Sequence, residues 1–338
     1  MARQCPFGIA RELAQRPHTL VRRSAPSHDY DRSVIRATLY TDPACPWGYS
    51  ANPALRVLEW WYGDQIEWRL VMIGLRDAVS ETAARDFNGA ASAARQGTFR
   101  QRYGMPFALA PKARAASTGR GCRAVVAAGL LEPGSEWDVM RALHLANFTT
   151  PLLLDDDALI RAALAAAGLD ADAIVDRLDD PDVTDAYERD KAESRTAAGT
   201  AAELQGKTST SDGPVRYTAP SVVFERDGRQ LVAGGWQPLL AYDVLVANLD
   251  PTLTRRQPPE TPGPLLQHFT AGLTTAEVAA LLAEGPDYVT DLEAAERLLL
   301  QLVATGAAIR IPAGHDAVWK TATAVEPGSR RHAAAAVA

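Results

Sequence analysis

The chain has 338 residues, of which 47% are hydrophobic and 22% charged, and its formal net charge is −6. This balance gives no general attraction for nucleic acid or for anionic membranes. No apolar run approaches the roughly 18 residues that span a bilayer. We therefore expect neither nucleic acid nor a membrane among the partners, and the length allows two domains with a sizeable core.

The first 33 residues contain six arginines but no apolar stretch of the roughly 7–15 residues that a secretion signal needs. We interpret residues 1–33 as a flexible tail. The three cysteines of the chain, Cys5, Cys45 and Cys122, are too widely spaced for a disulfide framework. This cysteine usage predicts a cytoplasmic protein.

A strand, a helix and a second strand are predicted next. Residues 35–40 have the pattern of a buried strand, residues 53–62 carry apolar side chains at helical spacing, and residues 66–73 form another apolar strand. A helical crossover joins parallel strands. We therefore expect these two strands to lie side by side and parallel.

Residues 76–206 are rich in alanine and helical in pattern, with prolines as stops. Four helices are predicted, at residues 115–131, 137–146, 156–167 and 182–204. The polar stretch at residues 206–215 predicts a loop. A hairpin follows at residues 220–234, where Asp227 and Gly228 supply the turn.

The last elements are a closing helix and a separate terminal region. Residues 237–249 predict the helix, and its inner face is assigned to Leu239, Leu240, Val244 and Leu245. Residues 251–264 contain five prolines, which is typical of a linker or of a strapped-down connection. Two helices and a hairpin then give the outline of a winged helix, but residues 263–320 hold seven acidic and three basic side chains. Because DNA binding needs clustered bases, we expect a packing, lid or dimerisation role.

Cys45 lies where the first strand turns into the first helix, and residues 42–49 read Asp-Pro-Ala-Cys-Pro-Trp-Gly-Tyr. The positive end of a helix and its unpaired N–H groups favour thiolate over thiol. Trp47 adds no charge and Asp42 opposes the thiolate, so we expect a small lowering of the thiol pKa. Where a dithiol enzyme carries its second cysteine, this chain has Gly48.

Residues 42–49 resemble the active-site segment of the DsbA-like thioredoxin-fold superfamily. They are most similar to its FrnE-like branch and to the branch of 2-hydroxychromene-2-carboxylate isomerases and kappa-class glutathione transferases. Residues 217–224 resemble the strand that begins with a cis-proline in this fold, here Pro220. Residues 234–238 resemble the turn into its last helix.

The resemblance covers roughly residues 34–249 and implies an α/β chain with a thioredoxin fold and an inserted helical domain. The helix, helix and hairpin pattern after it adds a small winged-helix-like α+β module. The predicted segments are a tail (1–33), a thioredoxin-like domain (34–75 and 207–250), an inserted helical domain (76–206), a Pro-rich linker (251–264), the winged-helix-like module (265–322) and a second tail (323–338).

The resemblance also implies that Cys45 is catalytic. It implies contacts to a thiol co-substrate from Pro46, Trp47, Gly48, Tyr49, Ser117, Ala219 and Pro220. Because glycine cannot resolve a mixed disulfide, we predict an oxidoreductase with a single active-site cysteine. It would act on a small-molecule or protein disulfide and be reset by mycothiol or glutathione. No tightly bound cofactor is expected, and no cluster has metal-ligand spacing.

Two other functions stay open. One is a thiol-cofactor-dependent isomerase or transferase for a hydrophobic small molecule, whose pocket would use Trp47, Tyr49, Trp60, Trp61 and Tyr103. The other is a non-catalytic thioredoxin-fold binding or scaffold protein with its terminal module as the interaction surface. A homodimer is a separate candidate assembly. Cys122 is either a packed helix cysteine or a distant resolving thiol, and His144 is interpreted as a core histidine.

Overall fold

The protein is described from a computed structural model that covers residues 34–210, 213–284 and 288–322. Its first elements are β1 (Ile35–Thr41), α1 (Pro46–Ser50), α2 (Asn52–Tyr62) and β2 (Ile66–Met72). The helical segment that follows contains α3 (Glu81–Arg85), α4 (Gly89–Tyr103), α5 (Gly119–Leu131), α6 (Glu136–Thr149), α7 (Asp157–Ala166), α8 (Ala171–Val175), α9 (Pro181–Ser194) and α10 (Ala201–Leu204).

The second half begins with β3 (Thr208–Ser209), β4 (Arg216–Tyr217), β5 (Ser221–Arg226), β6 (Arg229–Ala233) and α11 (Leu239–Leu249). It ends with α12 (Gly263–His268), β7 (Leu273–Thr274), α13 (Thr275–Leu282), α14 (Leu292–Ala304), β8 (Ala308–Ala313) and β9 (Asp316–Thr321). The two predicted tails, residues 1–33 with Cys5 and residues 323–338, lie outside the described residues.

A four-stranded sheet in the order β2-β1-β5-β6 forms the centre of the fold. β1 runs parallel to β2, with Ile35 beside Ile66 and Thr41 beside Met72, which confirms the predicted crossover. β5 is antiparallel to β1, and β6 completes the hairpin with β5. This mixed sheet, with helices against it, is the thioredoxin fold that the sequence predicts.

The alternation of β1 explains how the sheet is covered on both faces. Ile35, Ala37 and Leu39 belong to the large core shared with the helices, whereas Tyr40 belongs to a second cluster on the other face. Successive side chains of a strand point to opposite faces. The carboxyl end of β1, which leads to Cys45, is therefore buried on both sides.

The helical segment differs from the prediction in two ways. Helices α3, α4 and α8 were not predicted; α4 buries only Ala93, so its sequence has no apolar stripe to detect. The helix predicted at residues 182–204 is wrong as one element. It ends at Ser194, and Gly199 adopts a left-handed φ of 75° before α10 begins.

The prediction for the inner face of α11 is wrong for Leu240 and Val244, whereas Leu239 and Leu245 are partly buried and pack against the core. The buried positions of α11 are Tyr242, Asp243, Val246 and Leu249, while Leu240 and Val244 are 41% and 54% exposed. Asp243 faces inward because its carboxylate accepts hydrogen bonds from the Tyr62 hydroxyl at 2.6 Å and from Arg255 at 2.7 Å. A buried carboxylate with these hydrogen bonds takes an inward position that hydropathy alone does not predict.

The proline-rich stretch at residues 251–264 is hydrogen-bonded to α2. The indole N–H of Trp60 donates to the carbonyl of Gln257 at 3.0 Å, and the N–H of Arg256 donates to the carbonyl of Trp61 at 2.9 Å. The Arg256 guanidinium also lies 4.4 Å from the centre of a Trp60 ring. The predicted linker is thus a strapped connection rather than a loose one.

The terminal region has the predicted helix, helix and hairpin, with a three-stranded antiparallel sheet in the order β7-β9-β8. α13 packs against α2. The β8–β9 turn packs against Phe107. The Phe107 backbone N–H donates to His315 Nδ1 at 3.1 Å, and a Cβ on Gly314 would lie 2.6 Å from the Phe107 carbonyl carbon. The terminal region therefore contacts the segment that precedes α5. The predicted domain boundaries stay a prediction.

Candidate active site

Cys45 caps the first turn of α1. Its Sγ accepts a hydrogen bond from the Gly48 N–H at 3.3 Å and donates one to the Ala219 carbonyl at 3.2 Å. The residue is only 2% exposed. Two segments that are far apart in the chain, the β1–α1 turn and the start of β5, therefore meet at this sulfur.

Asp42 holds the turn that presents Cys45. Its carboxylate is fully buried and accepts hydrogen bonds from the N–H groups of Ala44 at 2.8 Å and Leu75 at 2.7 Å. The Thr118 hydroxyl donates to it at 3.0 Å, and the Cys122 thiol donates at 3.5 Å. A buried carboxylate with this many donors fixes the backbone around it.

A cavity of about 590 Å³ opens beside Cys45. Three cationic side chains line it, Arg102, Lys207 and Arg216, together with three aromatic ones, Trp47, Tyr103 and Trp236. Within the described residues its lining contains no acidic side chain. The cavity can therefore accommodate a small molecule that combines negative charge with an apolar part.

The structure brings together only some of the residues predicted to contact a thiol. Pro46, Trp47 and Ala219 line the cavity with Cys45. The other four do not line it: Gly48, Tyr49, Ser117 and Pro220.

Each of these four has another place. Tyr49 is fully buried, donates to the Pro106 carbonyl at 3.0 Å and packs among aromatic rings. The Ser117 N–H donates to Asp155 at 3.1 Å. Gly48 contributes its N–H to the sulfur, and Pro220 is buried behind Ala219 in a cis peptide bond. Trp60 and Trp61 also belong to the core, so Trp47 and Tyr103 are the members of the proposed aromatic set that line the cavity.

Sequence reasoning missed the cations of the site. Lys207 directly precedes β3, in the stretch that was predicted as a loop, and Arg216 is the first residue of β4, just after that stretch. Each of these strands has two residues, which is too short for an alternating pattern. The remaining signal was the pair Gly234–Gly235, whose lack of side chains leaves room for Lys207.

Comparison with known families identifies the domain that contains Cys45. Residues 37–200 match the family model of the DSBA-like thioredoxin domain. The chain carries a DSBA-like thioredoxin domain. A search of the curated proteins finds no match.

Several solved structures are similar to the DSBA-like domain at low identity. A putative protein disulfide isomerase from Nitrosomonas europaea is 15% identical, covers 64% of this chain and 97% of its own, and has a TM-score of 0.49. A probable DsbA oxidoreductase from Streptomyces coelicolor is 18% identical, covers 66% of this chain and 93% of its own, and has a TM-score of 0.48. The cytosolic disulfide reductase DsbM from Pseudomonas aeruginosa is 18% identical, covers 59% of this chain and 88% of its own, and has a TM-score of 0.42.

In this DSBA-like domain, a second thiol at position 48 would be obstructed by a neighbouring side chain. A Cβ on Gly48 would lie 3.8 Å from Cys45 Sγ but only 2.9 Å from the hydroxyl of Thr41, which is 2% exposed. Contacts under 3.0 Å are avoided in packed interiors. The buried Thr41 hydroxyl therefore obstructs the Cβ of a cysteine at position 48, and one of the two side chains would have to shift to accommodate it.

Cys122 and His144 belong to the packing of the DSBA-like domain. Cys122 is fully buried on α5, and its thiol points to Asp42 rather than into the cavity. His144 is 3% exposed, and burial lowers its pKa to about 4. Among the described residues, no group of three or more histidines, cysteines or acids could hold a metal ion, and no helix is long and apolar enough to cross a bilayer.

The expected lowering of the Cys45 pKa is wrong for the free protein. Burial is the largest effect and raises the pKa of Cys45 to about 12. The N–H groups of Gly48 and Trp47 and the charge of Arg216 lower it, while Asp42 raises it further. α1 has only five residues, so its dipole is too weak to overcome the burial of the sulfur.

The rate of alkylation of Cys45 should accordingly rise with pH, without a plateau, across pH 6–9. With a pKa of about 12, the thiolate fraction rises about tenfold per pH unit across pH 6–9. We expect the rate of carbamidomethylation by iodoacetamide to rise in the same proportion. Mass spectrometry of a Cys5→Ser/Cys122→Ser chain measures this rate, and a plateau below pH 9 would show a lowered pKa instead.

Proposed function

We propose that the protein is a thiol–disulfide oxidoreductase that uses Cys45 as its single active-site thiol and is reset by an external low-molecular-weight thiol. One observation carries this proposal. Cys45 lines the cavity, whereas a resolving cysteine at position 48 is obstructed, because its Cβ would lie 2.9 Å from the Thr41 hydroxyl. The match of residues 37–200 to the DSBA-like domain supports the same class of chemistry.

The first step is an attack of the Cys45 thiolate on one sulfur of a substrate disulfide. A new S–S bond forms between Cys45 and that sulfur, the original S–S bond breaks, and the other half leaves as a thiolate with the bonding electron pair. The Gly48 N–H, 3.3 Å from Sγ, stabilises the attacking thiolate. The proton of the thiol passes to solvent or to the departing thiolate.

The second step needs the external thiol. Its thiolate attacks the substrate sulfur of the mixed disulfide, and Cys45 leaves with the electron pair and regains a proton. One disulfide and one thiol are consumed and one of each is formed, so no further oxidant or reductant is required. A thiol of raised pKa is a poor leaving group, so we expect the adduct on Cys45 to persist until external thiol is supplied.

The test is to observe the adduct and its release. A Cys5→Ser/Cys122→Ser chain is incubated with bis(2-hydroxyethyl) disulfide and analysed by intact-mass spectrometry. We expect one hydroxyethylthio adduct on Cys45, which disappears when glutathione or mycothiol is added. Absence of the adduct would contradict the proposal, and so would an adduct that neither thiol removes.

A second cysteine should be tolerated only after space is made for it. Gly48→Cys alone should lower the free energy of unfolding by about 1–3 kcal/mol, because its Cβ overlaps the Thr41 hydroxyl. The double variant Thr41→Ala/Gly48→Cys should regain part of that loss and form a disulfide between Cys45 and the introduced cysteine under oxidising conditions. Urea unfolding and thiol titration measure the two effects, with Thr41→Ala as the control. A Gly48→Cys chain as stable as the parent would show that Thr41 does not close this space.

A further inference from the structure

The β3–β4 ribbon fixes Lys207 at the wall of the cavity. The Lys207 N–H donates to the Ala202 carbonyl at 2.8 Å, and the Lys207 carbonyl accepts from the N–H and the hydroxyl of Thr218 at 3.2 and 2.9 Å. Thr218 directly precedes Ala219, whose carbonyl contacts Cys45. The backbone of Lys207 is therefore tied to the same strand start that contacts the reactive sulfur.

Two glycines make room for the side chain of Lys207. A Cβ on Gly234 would lie 2.7 Å from Lys207 Cβ, and a Cβ on Gly235 would lie 3.0 Å from Lys207 Cδ. Gly235 also has a φ of 70°, which favours glycine. The aliphatic part of Lys207 thus lies along a surface without side chains, and both Lys207 and Gly235 line the cavity.

The charged side chains that line the cavity are all cationic. Lys207 and Arg102 line the cavity, and no carboxylate of residues 34–210, 213–284 or 288–322 forms an ion pair with either of them. Arg102 instead lies with its guanidinium 5.4 Å from the centre of the Tyr103 ring. Two cations without a counter-charge from the described residues, beside a reactive thiol, favour a negatively charged ligand.

We propose that Lys207 and Arg102 make this site selective for an anionic thiol, that is, a low-molecular-weight thiol whose non-reacting part carries a carboxylate or a sulfonate. The inference rests on the proposed function and names the chemical class of its second substrate. An uncharged sugar thiol gains nothing from the two cations, and a cationic thiol is repelled by them. The neighbouring Trp47 and Trp236 contact the uncharged part of the molecule.

The experiment compares three thiols that share a two-carbon skeleton. The preformed hydroxyethylthio adduct of Cys45 is mixed with 2-mercaptoethanesulfonate, 2-mercaptoethanol or cysteamine, and each rate is divided by the same thiol's rate with free bis(2-hydroxyethyl) disulfide. We expect the sulfonate to react roughly 5- to 20-fold faster than the neutral thiol, and cysteamine to be slowest. Raising the salt concentration should reduce the difference, because salt screens exposed charges.

Matched variants separate the local charge from the net charge. Lys207→Gln and Arg102→Gln should each remove a large part of the preference, and Lys207→Arg should retain it. Arg297→Gln, on α14 and outside the lining of the cavity, changes the net charge equally and should have no effect. Equal normalised rates for the three thiols would overturn this inference and leave the single-cysteine exchange intact. An adduct that none of the thiols releases would overturn the proposed function itself.

Discussion

Replacing Cys45 with serine should lower the rate of disulfide exchange by roughly three orders of magnitude or more, since the nucleophile itself is removed. A serine hydroxyl at this position can still accept from the Gly48 N–H and donate to the Ala219 carbonyl, so the turn is preserved. The measurement is steady-state reduction of bis(2-hydroxyethyl) disulfide by the external thiol. Unfolding in urea shows whether stability has changed.

Cys122→Ser is the matched control for this prediction. Cys122 is fully buried, and its thiol donates to Asp42, a hydrogen bond that a serine hydroxyl can also make. This variant should keep most of the activity. An equal loss in both variants would contradict a mechanism with one thiol, and a Cys45→Ser variant that stayed active would favour a thiol-cofactor-dependent isomerase or transferase.

Replacing Arg141 with methionine should lower the free energy of unfolding by about 3–5 kcal/mol. Arg141 on α6 is 7% exposed and its partner Glu277 on α13 is 0% exposed. The two guanidinium nitrogens donate to the two carboxylate oxygens at 2.6 and 2.8 Å, and one also donates to the Gly272 carbonyl at 2.6 Å. Burial alone would raise the pKa of Glu277, but the charge and hydrogen bonds of Arg141 hold it below its ordinary value. Without Arg141, a buried carboxylate is left uncompensated.

The double variant Arg141→Met/Glu277→Gln distinguishes this cause from a loss of packing. Removing both charges should restore a substantial part of the stability, because no buried charge then lacks its partner. Urea unfolding followed by circular dichroism measures all three chains. If Arg141→Met cost less than about 1 kcal/mol, the ion pair would not be a major link between α6 and α13.

The elements that could be predicted from the sequence are those with a strong local pattern. The apolar runs of β1 and β2 and the Asp227–Gly228 turn of the β5–β6 hairpin are found at the expected residues. The position of Cys45 at the junction of β1 and α1 followed from its neighbours in the chain.

The parts that could not be predicted depend on contacts between distant residues. The burial that raises the Cys45 pKa needs the start of β5, which lies 174 residues further along the chain. Tyr49 looked like a ligand-binding side chain because it follows the motif, yet it packs under the segment that contains Pro106. Lys207 directly precedes a two-residue strand that is too short for a periodic signal. Local patterns therefore locate the reactive residue but not the charges around it.

The contact between the β8–β9 turn and Phe107 has a consequence for how this chain can vary. Phe107 packs on Tyr49, four residues after Cys45, with ring centres 5.3 Å apart. A side chain at Gly314 would collide with the Phe107 backbone. Because Phe107 packs on Tyr49 of α1, the disturbance would reach the α1 turn through these two residues. The terminal region thus supports the packing beneath the α1 turn, so a lineage that lost or exchanged this region would have to rebuild the packing beneath its reactive cysteine.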